Sequence, residues 1–302
     1  MKQIQFANLN PVLIGAAFAA AQSILFCVMA VFLKFATENH HPVEAMFFRS
    51  FIALVLIFVT LAMMGKIRCI AKANVRNQVT RSIIGTVGMV FTFLALSMLP
   101  LSEAQSLLFA APLFVVALSY PVLREKVGIY RSSAAIIGFL GILLILQPGV
   151  ISNVAGGLIG LTAAFFHAAV MIILRWLGKS EDPYVTVFYF CLVSSIATAI
   201  ALPFFFTMPS VTSLFFLVMI GICAFLLQIC LTKSYIYADA AVIAPITYLN
   251  MLWALLFDFF IWGYVPTNSV FIGAGIVILS NFVIIYREAK LKKAYSSAKP
   301  IQ

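Results

Sequence analysis

The sequence predicts an all-α membrane protein of ten transmembrane helices in two inverted five-helix repeats, with both termini in the cytoplasm. Three observations carry this. Of 302 residues, 64% are hydrophobic and 9% charged, with a mean hydropathy of +1.12. Apolar runs of about 20 residues, each long enough to cross a ~30 Å hydrocarbon core, follow one another along the chain. Lys and Arg gather on alternate connections. A soluble domain carries roughly a quarter of its residues as charges, and this chain has too few polar groups to cover a water-facing surface.

The spans run Leu13–Ala36, Val43–Met64, Thr80–Met98, Ser102–Leu123 and Ser132–Leu146 in the first half. Gly156–Trp176, Tyr184–Phe204, Ser213–Tyr235, Ala240–Trp262 and Val270–Tyr286 follow in the second. Their apolar runs are continuous rather than alternating, which excludes long strands. Ser132–Leu146 is the shortest. The first is too long for a signal-peptide core and has only Lys2 before it, so it reads as a retained helix. Residues 1–149 and 150–288 form the two halves, and 289–302 a basic cytoplasmic tail.

The net charge of +10 is a topology signal. With the N-terminus inside, the inner side holds Lys2, then Lys66, Arg68, Lys72, Arg76 and Arg81, then Arg124, Lys126 and Arg131. Arg175, Lys179, Lys233 and the tail's Arg287, Lys290, Lys292, Lys293 and Lys299 follow. Of the 19 basic residues only Lys34 and Arg49 remain. This positive-inside bias fixes N-in, C-in, and its expected partner is the anionic lipid surface, not nucleic acid. The five cysteines make no CxxC pair, so neither a disulfide framework nor a zinc site is indicated.

The segment 97–104, SMLPLSEA, lies over 234–241, SYIYADAA, at an offset of 137 that also puts Gly138 on Gly275. Five spans per copy is odd, so the second copy enters from the opposite side. Opposite-topology repeats mark secondary transporters, with a site near the midplane between the halves. Glycines at 85 and 88, 138 and 141, 156, 157 and 160, and 273 and 275 fit close helix packing.

Ionisable groups in a bilayer cost roughly 2.5–3.5 kcal/mol each and so mark function. Arg49 lies roughly 8 Å inside the second span at ~1.5 Å per residue. It either snorkels to the outer headgroups or lines a cavity, where its fork of donors suits a carboxylate. Asp258 shares a face with Asn250 and Ala254, as a proton or cation site or as a partner for Lys34 or Arg49. Glu38, Glu44, Glu103 and Asp258 map to the outer side, where they form either a negative ring or ordinary solvated span ends. The uncharged polar set adds Gln22, Ser23, Ser106, His167, Tyr189, Tyr248, Asn250 and Trp253. Trp262, Tyr264 and Tyr286 read as interfacial anchors. No GxxxxGK[ST], HExxH or GxSxG motif is present, so neither ATP hydrolysis nor catalysis is indicated, and no cofactor is expected.

Thr80–Gly128, TRSIIGTVGMVFTFLALSMLPLSEAQSLLFAAPLFVVALSYPVLREKVG, and Ser133–Gly149, SAAIIGFLGILLILQPG, resemble the EamA-type branch of the drug/metabolite transporter superfamily. Leu174–Phe190 and Ala244–Pro266 resemble it as well, and the likeness spans Leu13 to Glu288. The resemblance implies ten helices around a central cavity and movement of small metabolites such as amino acids, vitamins or S-adenosylmethionine. Arg49 in EAMFFRS and Glu125 in LREKVG match family positions. Tyr264 stands where the family's second-half acid is expected, and Asp258 where relatives carry a small residue. The expectation is a gradient-driven transporter in a bacterial cytoplasmic membrane. Arg49, Gln22, Ser106, His167, Tyr189, Tyr248, Asn250 and Trp253 would line its site, and Asp258, Glu44 and Glu103 would serve coupling or gating, with a proton as candidate coupling ion. S-adenosylmethionine uptake is one form of this. Export of amino acids or toxic metabolites is the rival, with a lipid-acting enzyme or a scaffold as rivals of other classes.

Overall fold

The computed structural model describes residues 11–123, 128–147, 149–177, 182–238, 243 and 246–297. Glu125 and the basic residues Arg124, Lys126 and Lys179 lie outside them. Regular structure among the described residues is helical: α1 (Pro11–Thr37), α2 (Pro42–Met63), α3 (Ile67–Lys72), α4 (Val75–Met98), α5 (Leu101–Leu108) and α6 (Ala111–Leu123). Then follow α7 (Ile129–Ile145), α8 (Val154–Leu177), α9 (Pro183–Ala201), α10 (Val211–Tyr237), α11 (Leu249–Trp262) and α12 (Asn268–Ser297). Eight helical segments are long and apolar enough to cross a bilayer, and two shorter apolar ones are Ser132–Ile145 and Leu249–Trp262. The molecule is a multi-pass helical membrane protein.

Local chemistry sets the helix ends. His41 caps α2, its ring nitrogen accepting from the Val43 N–H, and Pro42 supplies a pre-set φ at the first position. Asp182 with Pro183 does the same for α9, Asn74 for α4 and Ser210 for α10. Gly263 ends α11 at φ 63°, a left-handed conformation that costs a glycine least.

The fourth expected span is two helices. Pro112 has no N–H to give the Leu108 carbonyl and its ring crowds that carbonyl, so the helix breaks at Phe109–Ala110. Leu113 N–H turns instead to the Ala110 carbonyl at 3.0 Å. The Phe109 carbonyl is then met by the side-chain amide of Asn281 on α12 at 2.9 Å. Broken helices survive at membrane depth where such partners lie inside the protein.

The helices pack mostly as antiparallel pairs. In α1 and α10, Phe18 meets Tyr237 near one end and Phe35 meets Phe216 near the other. In α4 and α8, Gly85 approaches Val170 while Gly156 approaches Met98 and Leu99. In α2 and α9, Lys66 just beyond α2 meets Asp182 before α9, and Glu44 early in α2 meets Thr207 after α9. In α7 and α12, Gly141 faces Gly273, and a Cβ at either would fall 2.9 or 2.7 Å from the carbonyl oxygen of the other. Gly273→Ala therefore presses a methyl on immovable backbone and is expected to cost about 1–3 kcal/mol. Gly275→Ala, with nothing within 4 Å of its Cβ, should be neutral; thermal unfolding in detergent compares the two.

Candidate functional site

Arg49 projects from α2 into the interior and is 7% exposed. Its Nη1 donates to the Met89 sulfur of α4 at 3.0 Å, and its guanidinium lies 5.8 Å from the Phe93 ring centre and 5.6 Å from that of Phe190. Its Nε is buried without a partner. The only ion pairs among the described residues are His40–Glu44 and Lys66–Asp182, so none of the described carboxylates pairs with Arg49. A guanidinium offers five donors. A thioether and two ring faces leave most of them for something else.

His167 of α8 adjoins this group, its Nε2 lying 3.2 Å from the Thr92 hydroxyl of α4. That hydroxyl gives its single proton to the Gly88 carbonyl at 2.8 Å, so His167 is the donor of the pair. Gly88 lets the helices meet here: a Cβ would lie 3.1 Å from Phe166 and 3.4 Å from the His167 ring.

A second polar group is built by α1, α5, α11 and α12. Gln22 Oε1, Ser23 Oγ, Gln105 Nε2, Asn250 Oδ1, Trp253 Nε1 and Asn281 Oδ1 are buried without hydrogen-bond partners. Ser106 donates to the Ser102 carbonyl at 2.7 Å and touches the Met251 sulfur at 3.5 Å. Tyr248 packs edge-on against Phe109, 5.0 Å between ring centres. Tyr189 stands apart from both groups: its hydroxyl donates to the Ile70 carbonyl at 3.0 Å and ties α9 to α3.

Of the four acids read either as a negative ring or as solvated span ends, three are buried. Glu38 is exposed, while Glu44 and Glu103 are fully buried and Asp258 is 1% exposed. Nor do Lys34 and Arg49 pair with Asp258; Lys34 instead lies 5.0 Å over the Trp262 ring. Asp258 caps α5 from α11. It accepts from Leu101 N–H at 3.0 Å, Ser102 N–H at 2.8 Å and the Ser102 hydroxyl at 2.5 Å. Glu103 accepts from Ser152 N–H at 3.1 Å and the Ser152 hydroxyl at 2.7 Å, and from the Tyr264 hydroxyl. Burial, then the bond to Glu103, hold the Tyr264 phenol well above its usual value, so it stays a donor. Glu44 accepts from the Thr207 hydroxyl at 2.9 Å and pairs with His40 at 2.9 Å. Asp258 and Glu103, buried without a basic partner among the described residues, thus find backbone and hydroxyl donors, which sequence spacing does not reveal.

At the other end of the bundle Lys66 meets Asp182 at 2.6 Å, and Gln78 donates to the Thr186 hydroxyl at 3.2 Å. The hydrogen bond to Asp182 raises the Lys66 pKa above the ordinary 10.5. A raised lysine contributes fully below its unfolded value and loses the contribution as pH rises through the folded one. Stability from this pair should therefore be flat through neutral pH and fall only in strong alkali. Asp182→Ala also removes the α9 cap and should cost about 1 kcal/mol. Lys66→Ala should cost less, the pair being partly exposed. Thermal unfolding of both variants near neutral pH checks the order.

Arg81, one of the inner-side charges, is half-buried against the bundle. Its guanidinium lies 5.6 Å from the same Phe190 ring, its Nη1 reaches the Thr186 carbonyl only at 3.5 Å, and its Nε is buried without a partner. A Lys/Arg count cannot separate a loop arginine from one at the foot of a span. Met89 and Phe190 likewise carry no signal among 11 Met and 29 Phe.

Among the described residues the interior of this multi-pass bundle holds a guanidinium with no carboxylate partner and amide atoms with no hydrogen-bond partner, groups that are costly in a bilayer. The chain belongs to the EamA-like transporter family, which matches residues 13–147 and again 154–286. It is 27% identical over 281 residues to the pseudopaline exporter of Pseudomonas aeruginosa, covering 91% of this chain and 97% of that one. It is 28% identical to the riboflavin transporter of Vibrio cholerae, with 79% and 81% covered. It is 26% identical to the S-adenosylmethionine uptake transporter of Rickettsia bellii, with 86% and 89% covered. A crystal structure with TM-score 0.64 and 17% identity, covering 93% of this chain and 98% of the other, shares the fold. The two family matches turn the packing into a pattern. Counterpart helices α2 and α9, and α7 and α12, are antiparallel partners, and α1 on α10 mirrors α8 on α4.

Proposed function

We propose that the chain is a secondary transporter carrying a small amino-acid-like metabolite across the bacterial cytoplasmic membrane by alternating access. Residues 1–149 and 150–288 act as two five-helix halves of opposite topology, with ten spans and both termini inside. Antiparallel pairing of counterpart helices and the positive-inside distribution of Lys and Arg support this arrangement. The observation that carries the reading is the buried Arg49, whose donors face no carboxylate among the described residues. A solute carboxylate supplies the missing charge, and a planar fork binds it with direction. The polar groups of α1, α5 and α11 then meet the rest of the solute.

S-adenosylmethionine, which has a carboxylate and is the solute named for one relative, is the first candidate. The relative named as an exporter favours a second reading, in which the same site runs outward. Accumulation of labelled S-adenosylmethionine in cells expressing the chain supports uptake. Faster loss of amino-acid-like solutes from preloaded cells, without accumulation, supports export. Neither, with the protein present in the membrane, counts against both.

A further inference from the structure

We propose that Arg81 is a second anion-binding residue of the transport site, so that the preferred solute carries two carboxylates, one held at Arg49 and one at Arg81, rather than the single carboxylate of S-adenosylmethionine. The inference rests on the reading of Arg49 above and extends it to the substrate class.

Both guanidiniums lie on one ring: the central carbon of each is 5.6 Å from the centre of Phe190. Two arms of that length limit their separation to at most about 11 Å, within reach of one extended dicarboxylate. They come to the ring from opposite ends of the bundle. Gln78 and Thr86 of α4 meet Thr186 and Ser194 of α9 in rising order, so these helices are parallel. α2 is antiparallel to α9 and therefore to α4. Arg49 enters from the start of α2, Arg81 from the start of α4.

Neither cation has a carboxylate partner among the described residues, and each has a buried Nε with no acceptor. Arg49 is buried and Arg81 half-buried, and a charge withdrawn from water without a counter-charge is costly to hold. Aromatic faces offset part of it. The surroundings are polar as well: Gln78 Oε1, Ser82 Oγ and Ser195 Oγ on α4 and α9 are also buried without partners. A lone snorkelling arginine needs none of this. A solute with two carboxylates neutralises both cations at once, whereas a monocarboxylate leaves one unpaired.

The test is ligand-dependent thermal stabilisation of the purified full-length protein in detergent. The probes are L-glutamate against L-glutamine, and L-2-aminoadipate against its side-chain amide. Wild type is expected to respond to each acid at a concentration about tenfold or more below that needed for its amide. Arg81→Gln should erase that preference while keeping the response to the amides, and Arg81→Lys should restore part of it. A merely structural Arg81 would lower the melting temperature without moving the acid-to-amide ratio. Equal responses to acid and amide, or none to either, overturn the inference. Arg49→Gln separates the two levels. If it abolishes every response while acid and amide act alike on wild type, only the second carboxylate is lost. If it responds as wild type does, the reading of Arg49 fails with it.

Discussion

Asp258→Ala is expected to be among the most destabilising single substitutions in this chain, costing at least about 2 kcal/mol. The carboxylate closes the first turn of α5 with two backbone and one hydroxyl hydrogen bond, at 3.0, 2.8 and 2.5 Å. Hydrogen bonds to a charged group contribute about 1.5–3 kcal/mol, and each buried N–H left without an acceptor costs about 1–3 kcal/mol. The positive end of α5 adds to the loss. The contact also joins the two halves, so its removal loosens the point where α11 holds α5. Membrane protein level and unfolding temperature should both fall, and less so in Asp258→Asn, which keeps one acceptor oxygen. Unchanged stability in the alanine variant would contradict the capping role. The asparagine variant also tests proton coupling: a changed pH dependence of transport at normal protein levels supports it, and an unchanged one leaves Asp258 a cap alone.

Arg49→Met should do the reverse: stabilise the protein by about 1–4 kcal/mol while abolishing transport. A buried ionic group is often more costly than an apolar side chain of similar volume. Here no acid among the described residues offsets it, and only the rings of Phe93 and Phe190 and the sulfur of Met89 attend it. Functional residues are retained at the expense of stability. Arg49→Lys should keep the charge but lose the fork, giving weakened rather than absent binding. A higher melting temperature together with loss of transport is the expected pair for Arg49→Met. A lower melting temperature would make Arg49 a structural residue.

Much of this arrangement is legible in the sequence because the bilayer imposes it. Apolar run length gave the eight long segments and the short Ser132–Ile145, whereas the expected span Ala240–Trp262 is described as a short helix from Leu249, and the repeat aligned Gly138 of α7 with Gly275 of α12, two helices that pack together. The break at Phe109–Ala110 was missed, although Pro112 was the available signal; inside a long apolar run its effect is easily overlooked. Arg49 stood out because one cation in an apolar span is expensive. The site around it did not, since Met89, Phe93 and Phe190 act through position rather than type. The burial of the acids was not legible for a related reason. Glu103 and Asp258 sit near span ends in the sequence, and only the fold shows them buried on Ser152, Tyr264 and the start of α5.

The account rests on a solute carboxylate meeting Arg49. Uptake of labelled S-adenosylmethionine and of labelled L-glutamate into cells expressing wild type or Arg49→Ala, with both proteins quantified in the membrane, tests it most directly. Saturable uptake of one of the two solutes in wild type and of neither in the variant is expected. Saturable uptake that survives in Arg49→Ala would contradict it.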